Sequence, residues 1–129
     1  DIPAIQVVKS GYSHENDTLL MSETGELYLR LKGVVKDKVF IRTANRNTQY
    51  VTKLLGDRPI SSYSSNEAAQ FRDWCIDKGM DIKTVKRVFA SVRAIINLAI
   101  SEEGFDCSNA FAKTYFPDDD RSDSRQPFN

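Results

Sequence analysis

Residues 81–104 read DIKTVKRVFASVRAIINLAISEEG. Val85, Val88, Phe89, Val92, Ile95, Ile96, Ala99 and Ile100 recur there at steps of three and four, the period of a helix that buries one face. Asp81 is placed to cap the start of this helix and Gly104 to end it. Lys83, Thr84, Lys86 and Arg87 crowd its first two turns, mostly off the apolar stripe, and Arg93 follows. A helix start carries free N–H groups and a partial positive charge, so cations and a hydroxyl added there suit a phosphate. A solvated helix face has the same composition, so the pattern points toward nucleic acid without deciding it.

Working outward, the spacing predicts three more helices. One over residues 65–78 opens with an S-x-x-E capping box, Ser64 and Glu67, turns Ala68, Phe71, Trp74 and Cys75 inward, and stops at Gly79. Another over residues 37–55 carries an apolar stripe of Phe40, Ile41, Ala44, Thr48, Val51, Leu54 and Leu55 and ends at Gly56. Its other side holds Arg42, Asn45, Arg46, Gln49 and Lys53; Arg42, Thr43 and Arg46 repeat the pairing of cations with a hydroxyl. The connection GDRPISSYS lies between these two, with Pro59 forcing extended backbone at Arg58. The first helix is expected over residues 22–32, with Leu27, Tyr28 and Leu31 inward and Gly33 as its stop. Gly25 costs a helix about 1 kcal/mol against alanine, so LLMSETGELYLRL also fits a hairpin turning at Glu23-Thr24-Gly25-Glu26. Four one-sided helices must bury their faces against each other, which predicts an all-α bundle.

The 129 residues suit one domain or two very small ones, and 40% hydrophobic content is enough for a core. Net charge is zero, but its distribution is uneven. Residues 1–35 carry three basic and five acidic groups, residues 36–93 twelve and six, and residues 94–129 three and seven. A positive middle between acidic ends hints at an electrostatic footprint. Residues 1–17 keep no period and read as an arm or linker, with a short extended piece at residues 5–8. After Gly104, FDCSNAFAKTYF should pack back on the bundle, Tyr115 included, and from Pro117 onward the chain is a polar linker.

Little in the sequence supports catalysis. The single histidine, His14, falls in the arm, and Asp118, Asp119 and Asp120 are adjacent carboxylates that do not define a ligand set. There is no glycine-rich phosphate loop, C-x-x-C or G-x-S-x-G. No metal, cofactor or small-molecule substrate is expected. Cys75 and Cys107 lack metal-type spacing, and Cys75 beside Phe71 and Trp74 reads as a buried reduced thiol, which suits a cytoplasmic protein. No apolar run approaches the length of a membrane span and no signal peptide is visible. Tyr28 and Tyr50 should contribute to packing, and Trp74 and Phe89 have core spacing rather than that of base-stacking rings.

Several short motifs, in order, resemble one family. Leu54-Leu55-Gly56-Asp57-Arg58-Pro59-Ile60 resembles a turn of the phage-type integrases, the tyrosine recombinases. The Ser64/Glu67 cap follows, then AAQFRDWCIDKG, then Lys83-Thr84-Val85-Lys86-Arg87 with Ser91, Arg93 and Ala94. Ala99-Ile100-Ser101-Glu102-Glu103-Gly104 and Asn109-Ala110-Phe111 complete the series over residues 20–112. Ala110 stands where the family has proline, and the linker is acidic at residues 118–120 where relatives are basic.

The resemblance implies a SAM-like orthogonal four-helix bundle, the core-binding domain, which forms one jaw of a clamp on double-stranded DNA in a bacterial cytoplasm. The organisation expected is an arm at 1–17, the helical domain at 18–116 and a linker at 117–129 leading to an absent catalytic domain. Self-association would occur in the full-length protein on DNA. It also implies DNA contacts by Lys83, Thr84, Lys86, Arg87 and Arg93 on the fourth helix and by Arg42, Thr43 and Arg46 on the second. Strand cleavage and rejoining would be performed by the missing domain. From the residues alone, a helical protein-interaction module and a helix-turn-helix regulator stay open beside this reading.

Overall fold

A computed structural model describes residues 18–117. The order is α1 (Met21–Lys32), α2 (Lys38–Leu55), α3 (Ser65–Asp77) and α4 (Ile82–Glu103), with single 3₁₀ turns at Gly33–Val35 and Ile60–Ser62. The described residues form an all-α four-helix bundle. The extended piece expected at 5–8, His14, and the linker beyond Pro117 lie outside the described residues.

Three helix starts are fixed by the side chains the sequence places there. The carboxylates of Asp37 and Asp81 accept from the N–H groups of Phe40 and Thr84, at 3.0 and 2.9 Å. Ser64 and Glu67 close a reciprocal box: Ser64 Oγ accepts from the Glu67 N–H at 3.1 Å, and the Glu67 carboxylate accepts from the Ser64 N–H at 3.0 Å. Each such cap is worth roughly 1 kcal/mol. Gly104 ends α4 at φ 69°, the left-handed conformation that glycine adopts without penalty.

α1 is a helix and not the hairpin its sequence also allowed. Leu20 at its N-cap has no side-chain acceptor, so its start is held partly by Glu23, which accepts from the Leu20 N–H at 3.0 Å, and partly from outside. The carboxylate of Asp57, in the α2–α3 connection, accepts from the Ser22 N–H at 2.8 Å and from Ser22 Oγ at 2.6 Å. The strand-like lead-in supports this: Leu20 and Pro59 form an isolated antiparallel bridge, Met21 N–H donates to Arg58 O and Ile60 N–H to Leu19 O, both at 2.9 Å. Gly25 is present because α2 passes close by. A Cβ at Gly25 would sit 2.9 Å from Thr48 Oγ1.

α4 is the central strut. Val85, Val88, Phe89, Val92, Ile95, Ile96 and Ala99 are all buried, as the stripe predicts, and Ile100 is half-buried. Phe71 of α3 lies against Phe89 at 5.5 Å between ring centroids, and Phe111 from the C-terminal tail meets both rings at 5.9 and 5.8 Å. Such ring pairs add about 0.5–1.5 kcal/mol each beyond the area they bury. The tail is pinned further by Asn109, whose side chain donates to Arg93 O and Asn97 Oδ1 and accepts from the Phe111 N–H.

Several inward assignments need correction. Leu31 is 43% exposed, in the last turn of α1, one residue before it ends at Lys32. Trp74 is only half-buried, lying at the rim of α3 rather than under it. The Tyr115 ring points to solvent, and only its carbonyl is used, accepting from Arg72. Phe116 does the docking instead, edge-on to Phe89 at 4.9 Å. Cys75 is buried and free, and burial pushes its thiol up to about 11.

Candidate nucleic-acid interface

The burial of α4 decides which way its basic residues point. With Val85, Val88, Phe89 and Val92 inward, Lys83, Lys86 and Arg87 are left together on the outer side of the first two turns, all exposed. Thr84 flanks them, half-buried, its N–H taken by Asp81. Arg93 lies seven residues after Lys86, almost in line with it two turns on, and is half-buried. Among the described residues no carboxylate comes within ion-pair distance of Lys83, Lys86 or Arg87. The charge on this helix front is therefore available.

α2 offers a second line. Arg42, Arg46, Gln49 and Lys53 are exposed along one side, opposite buried Ala44, Thr48 and Val51, and Thr43 is half-buried beside them. Arg42 belongs to the end of α2 that packs on α1, where Tyr28 stacks on Phe40 at 5.7 Å. Arg46 is drawn the other way. Its guanidinium lies over the Tyr50 ring at 5.8 Å; Tyr50 meets Trp74 edge-on at 5.6 Å; and Lys78 Nζ sits over Trp74 at 4.8 Å. Lys78 is the C-cap of α3 and stands three residues before Asp81. The structure thus links Arg46 on α2, through Tyr50 and Trp74, to Lys78 at the end of α3, and leaves Arg42 one turn away along α2.

Sequence reasoning did not single out Lys78 or the aromatic chain. The signal available was the i, i+4 spacing of Arg46 with Tyr50 and of Trp74 with Lys78, each of which places a cation over a ring on a helix surface. What the spacing does not carry is that the two pairs meet.

Arg58, the most conspicuous cation of the α2–α3 connection, is not part of this surface. Its guanidinium donates to both carboxylate oxygens of Glu67 at 2.6 and 3.0 Å, to Ser62 O at 2.8 Å and to Leu55 O at 3.2 Å. It also lies over Tyr63, whose hydroxyl donates to Gly56 O at 2.7 Å. The hydrogen bond to Glu67 raises the arginine's proton affinity and, in return, holds the glutamate below its ordinary value. Arg58 locks the connection and has no donors to spare for a ligand.

On the other side of the molecule Leu19, Glu23, Glu26, Leu27, Arg30 and Glu103 line an open groove of about 310 Å³. Its acidic rim suits neither phosphate nor DNA. Among the described residues no cluster of histidine, cysteine and carboxylate side chains has metal-binding geometry, and no helix is long and apolar enough to cross a membrane.

No protein-family model and no curated protein matches this sequence. Solved structures do. The Tn1549 transposon integrase in complex with transposon right end DNA superposes with a TM-score of 0.62 at 22% identity over 74% of this chain. The same integrase in complex with circular intermediate DNA gives a TM-score of 0.62 at 21% identity over 75%. The chain spans about 30% of the length of these integrase chains. Identity this low speaks to architecture, and on that ground this chain folds as a part of the Tn1549 transposon integrase does.

Proposed function

We propose that this chain is the core-binding domain of a tyrosine recombinase and that it clamps duplex DNA around a recombination site. The observation that carries this reading is the front of α4. Lys83, Lys86 and Arg87 stand exposed and unpaired among the described residues, at a helix start, in a bundle that shares its fold with part of an integrase solved on DNA. Thr84 and Arg93 extend the surface along α4, and Arg42, Thr43 and Arg46 add a second line from α2. These side chains suit phosphate oxygens, so binding is largely independent of sequence and steeply dependent on salt.

The domain lies at residues 18–116, between an arm at 1–17 and a linker at 117–129. Strand cleavage and rejoining fall to a catalytic domain elsewhere in the protein, and this chain holds the substrate without a cofactor. Self-association on DNA and a cytoplasmic location belong to the same reading.

The test is a titration of the 129-residue chain with a short duplex at several salt concentrations. Affinity should fall steeply as salt rises. In the Lys83→Ala/Lys86→Ala/Arg87→Ala variant the slope of log K against log salt should drop by about 0.9 for each phosphate left without its cation. Unchanged affinity in that variant would sink the proposed face. A protein-interaction module is the second reading, favoured by the exposed apolar side chains Leu31, Val34 and Val39 about the α1–α2 connection. It predicts no duplex binding at any salt concentration.

A further inference from the structure

The chain Arg46–Tyr50–Trp74–Lys78 is unusual in its ends. Two half-buried rings in edge contact would complete a packing role by themselves. Here each ring also carries a cation on its outer side, Arg46 on Tyr50 and Lys78 on Trp74. Neither cation has a carboxylate within ion-pair distance among the described residues, although Asp73 and Asp77 stand on the same helix as Trp74. Asp73 is engaged by Arg72 at 2.9 Å. Trp74 stacks inward on Phe71 at 5.8 Å, so its position is set by the core and does not wait for a ligand. A ring held in this way fixes the cation above it, and a fixed cation loses less side-chain entropy on meeting a phosphate than a free one.

The ladder also joins two surfaces that the helices alone keep apart. It begins on α2 one turn from Arg42 and ends at Lys78, three residues from the cap of α4. We infer that it belongs to the DNA-contacting surface, with Arg46 and Lys78 as phosphate ligands and Tyr50 and Trp74 as the residues that position them. This makes the interface continuous from the middle of α2, across the end of α3, to the front of α4. It rests on the duplex-binding reading above and adds α3 to it.

Trp74 is the only tryptophan in the chain, so its fluorescence reports on the ladder directly. The 129-residue protein is titrated with a short mixed-sequence duplex while Trp74 emission and its quenching by acrylamide are followed. Bound duplex should shield Trp74 from acrylamide. Lys78→Ala should reduce the salt slope by about 0.9, the share of one phosphate, and Lys78→Arg should restore it. Tyr50→Leu keeps the apolar packing but removes the face under Arg46; it should weaken binding severalfold, with an unchanged far-ultraviolet helix signal. If duplex binds while Trp74 quenching and the Lys78→Ala slope stay as in the unmodified protein, the ladder is outside the interface and only this inference falls. If no duplex binds, both readings fall together.

Discussion

At the scale of single residues, Arg58 and Glu67 show how a charge can be spent entirely on structure. The carboxylate accepts from the guanidinium twice and also from the Ser64 N–H, so it closes the α2–α3 connection and caps α3 at once. The arginine's hydrogen bond is the main reason that the glutamate's proton affinity is depressed. A depressed carboxylate contributes stability that is complete above its unfolded value, near 4.5, and fades as pH falls through the lower folded value. Glu67→Gln is therefore expected to be about 1–2 kcal/mol less stable at neutral pH. The gap to the unmodified protein should close in acid, which urea titrations across that range will measure. The sequence marks Ser64 and Glu67 as a box because a cap is local. It does not mark Arg58 as the partner of Glu67, nine residues away, and on composition alone that arginine counts toward a basic patch. The stripe places Thr48 inward but gives no sign of Asn47, which is buried beside it; among the described residues Asn47 Oδ1 and Thr48 Oγ1 have no hydrogen-bond partner, and periodicity carries no information about one.

The elements are legible where their signals are short-range. α2, α3 and α4 begin within a residue or two of where Asp37, Ser64 and Asp81 place them, and α4's stripe is buried at every position from Val85 to Ala99. α1 is the ambiguous one, because Gly25 argues against a helix when only local propensity is weighed. Its reason is tertiary: Thr48 of α2 fills the space that a side chain would need. Gly25→Ala would gain up to about 1 kcal/mol in helix propensity. It would drive a methyl into a β-branched neighbour with little rotamer freedom, which costs about 1–3 kcal/mol. The single variant should come out less stable. Adding Thr48→Ala removes the obstructing Oγ1 and methyl group and an unpartnered hydroxyl, so the double variant should recover by about 1 kcal/mol or more. A double-mutant cycle by denaturant unfolding reads the coupling. Should the two changes prove additive, the close approach of α1 and α2 is not what requires glycine here.

Across the whole molecule, the tail beyond α4 is a structural member rather than an appendage. Phe111 is fully buried and touches Tyr63, Phe71 and Phe89, tying the α2–α3 connection, α3 and α4 to one another. Phe111→Ala should cost about 3–5 kcal/mol and move the urea midpoint accordingly, whereas Tyr115→Ala, four residues on and exposed, should leave it near its original value. The apolar dots in FDCSNAFAKTYF announce a docked tail, but not which rings dock, since a segment without a period does not say which side faces inward. The candidate interface divides in the same way. The front of α4 follows from one helical period, while the corner that joins it to α2 depends on two helices meeting through Tyr50 and Trp74. The external hold on α1 has a consequence for the order of assembly. α2 and α4 carry their own starts and can nucleate from local sequence; α1 has a local half of a cap, Glu23 accepting from the Leu20 N–H, but the Ser22 N–H and hydroxyl are held by Asp57, 35 residues downstream. That pairing exists only after the intervening chain has closed into a loop, an entropic cost met before any of its hydrogen bonds form. The first helix in the chain is thus fully secured late: a growing polypeptide can form it on its local cap, but gains the Asp57 hold only when the α2–α3 connection has been made.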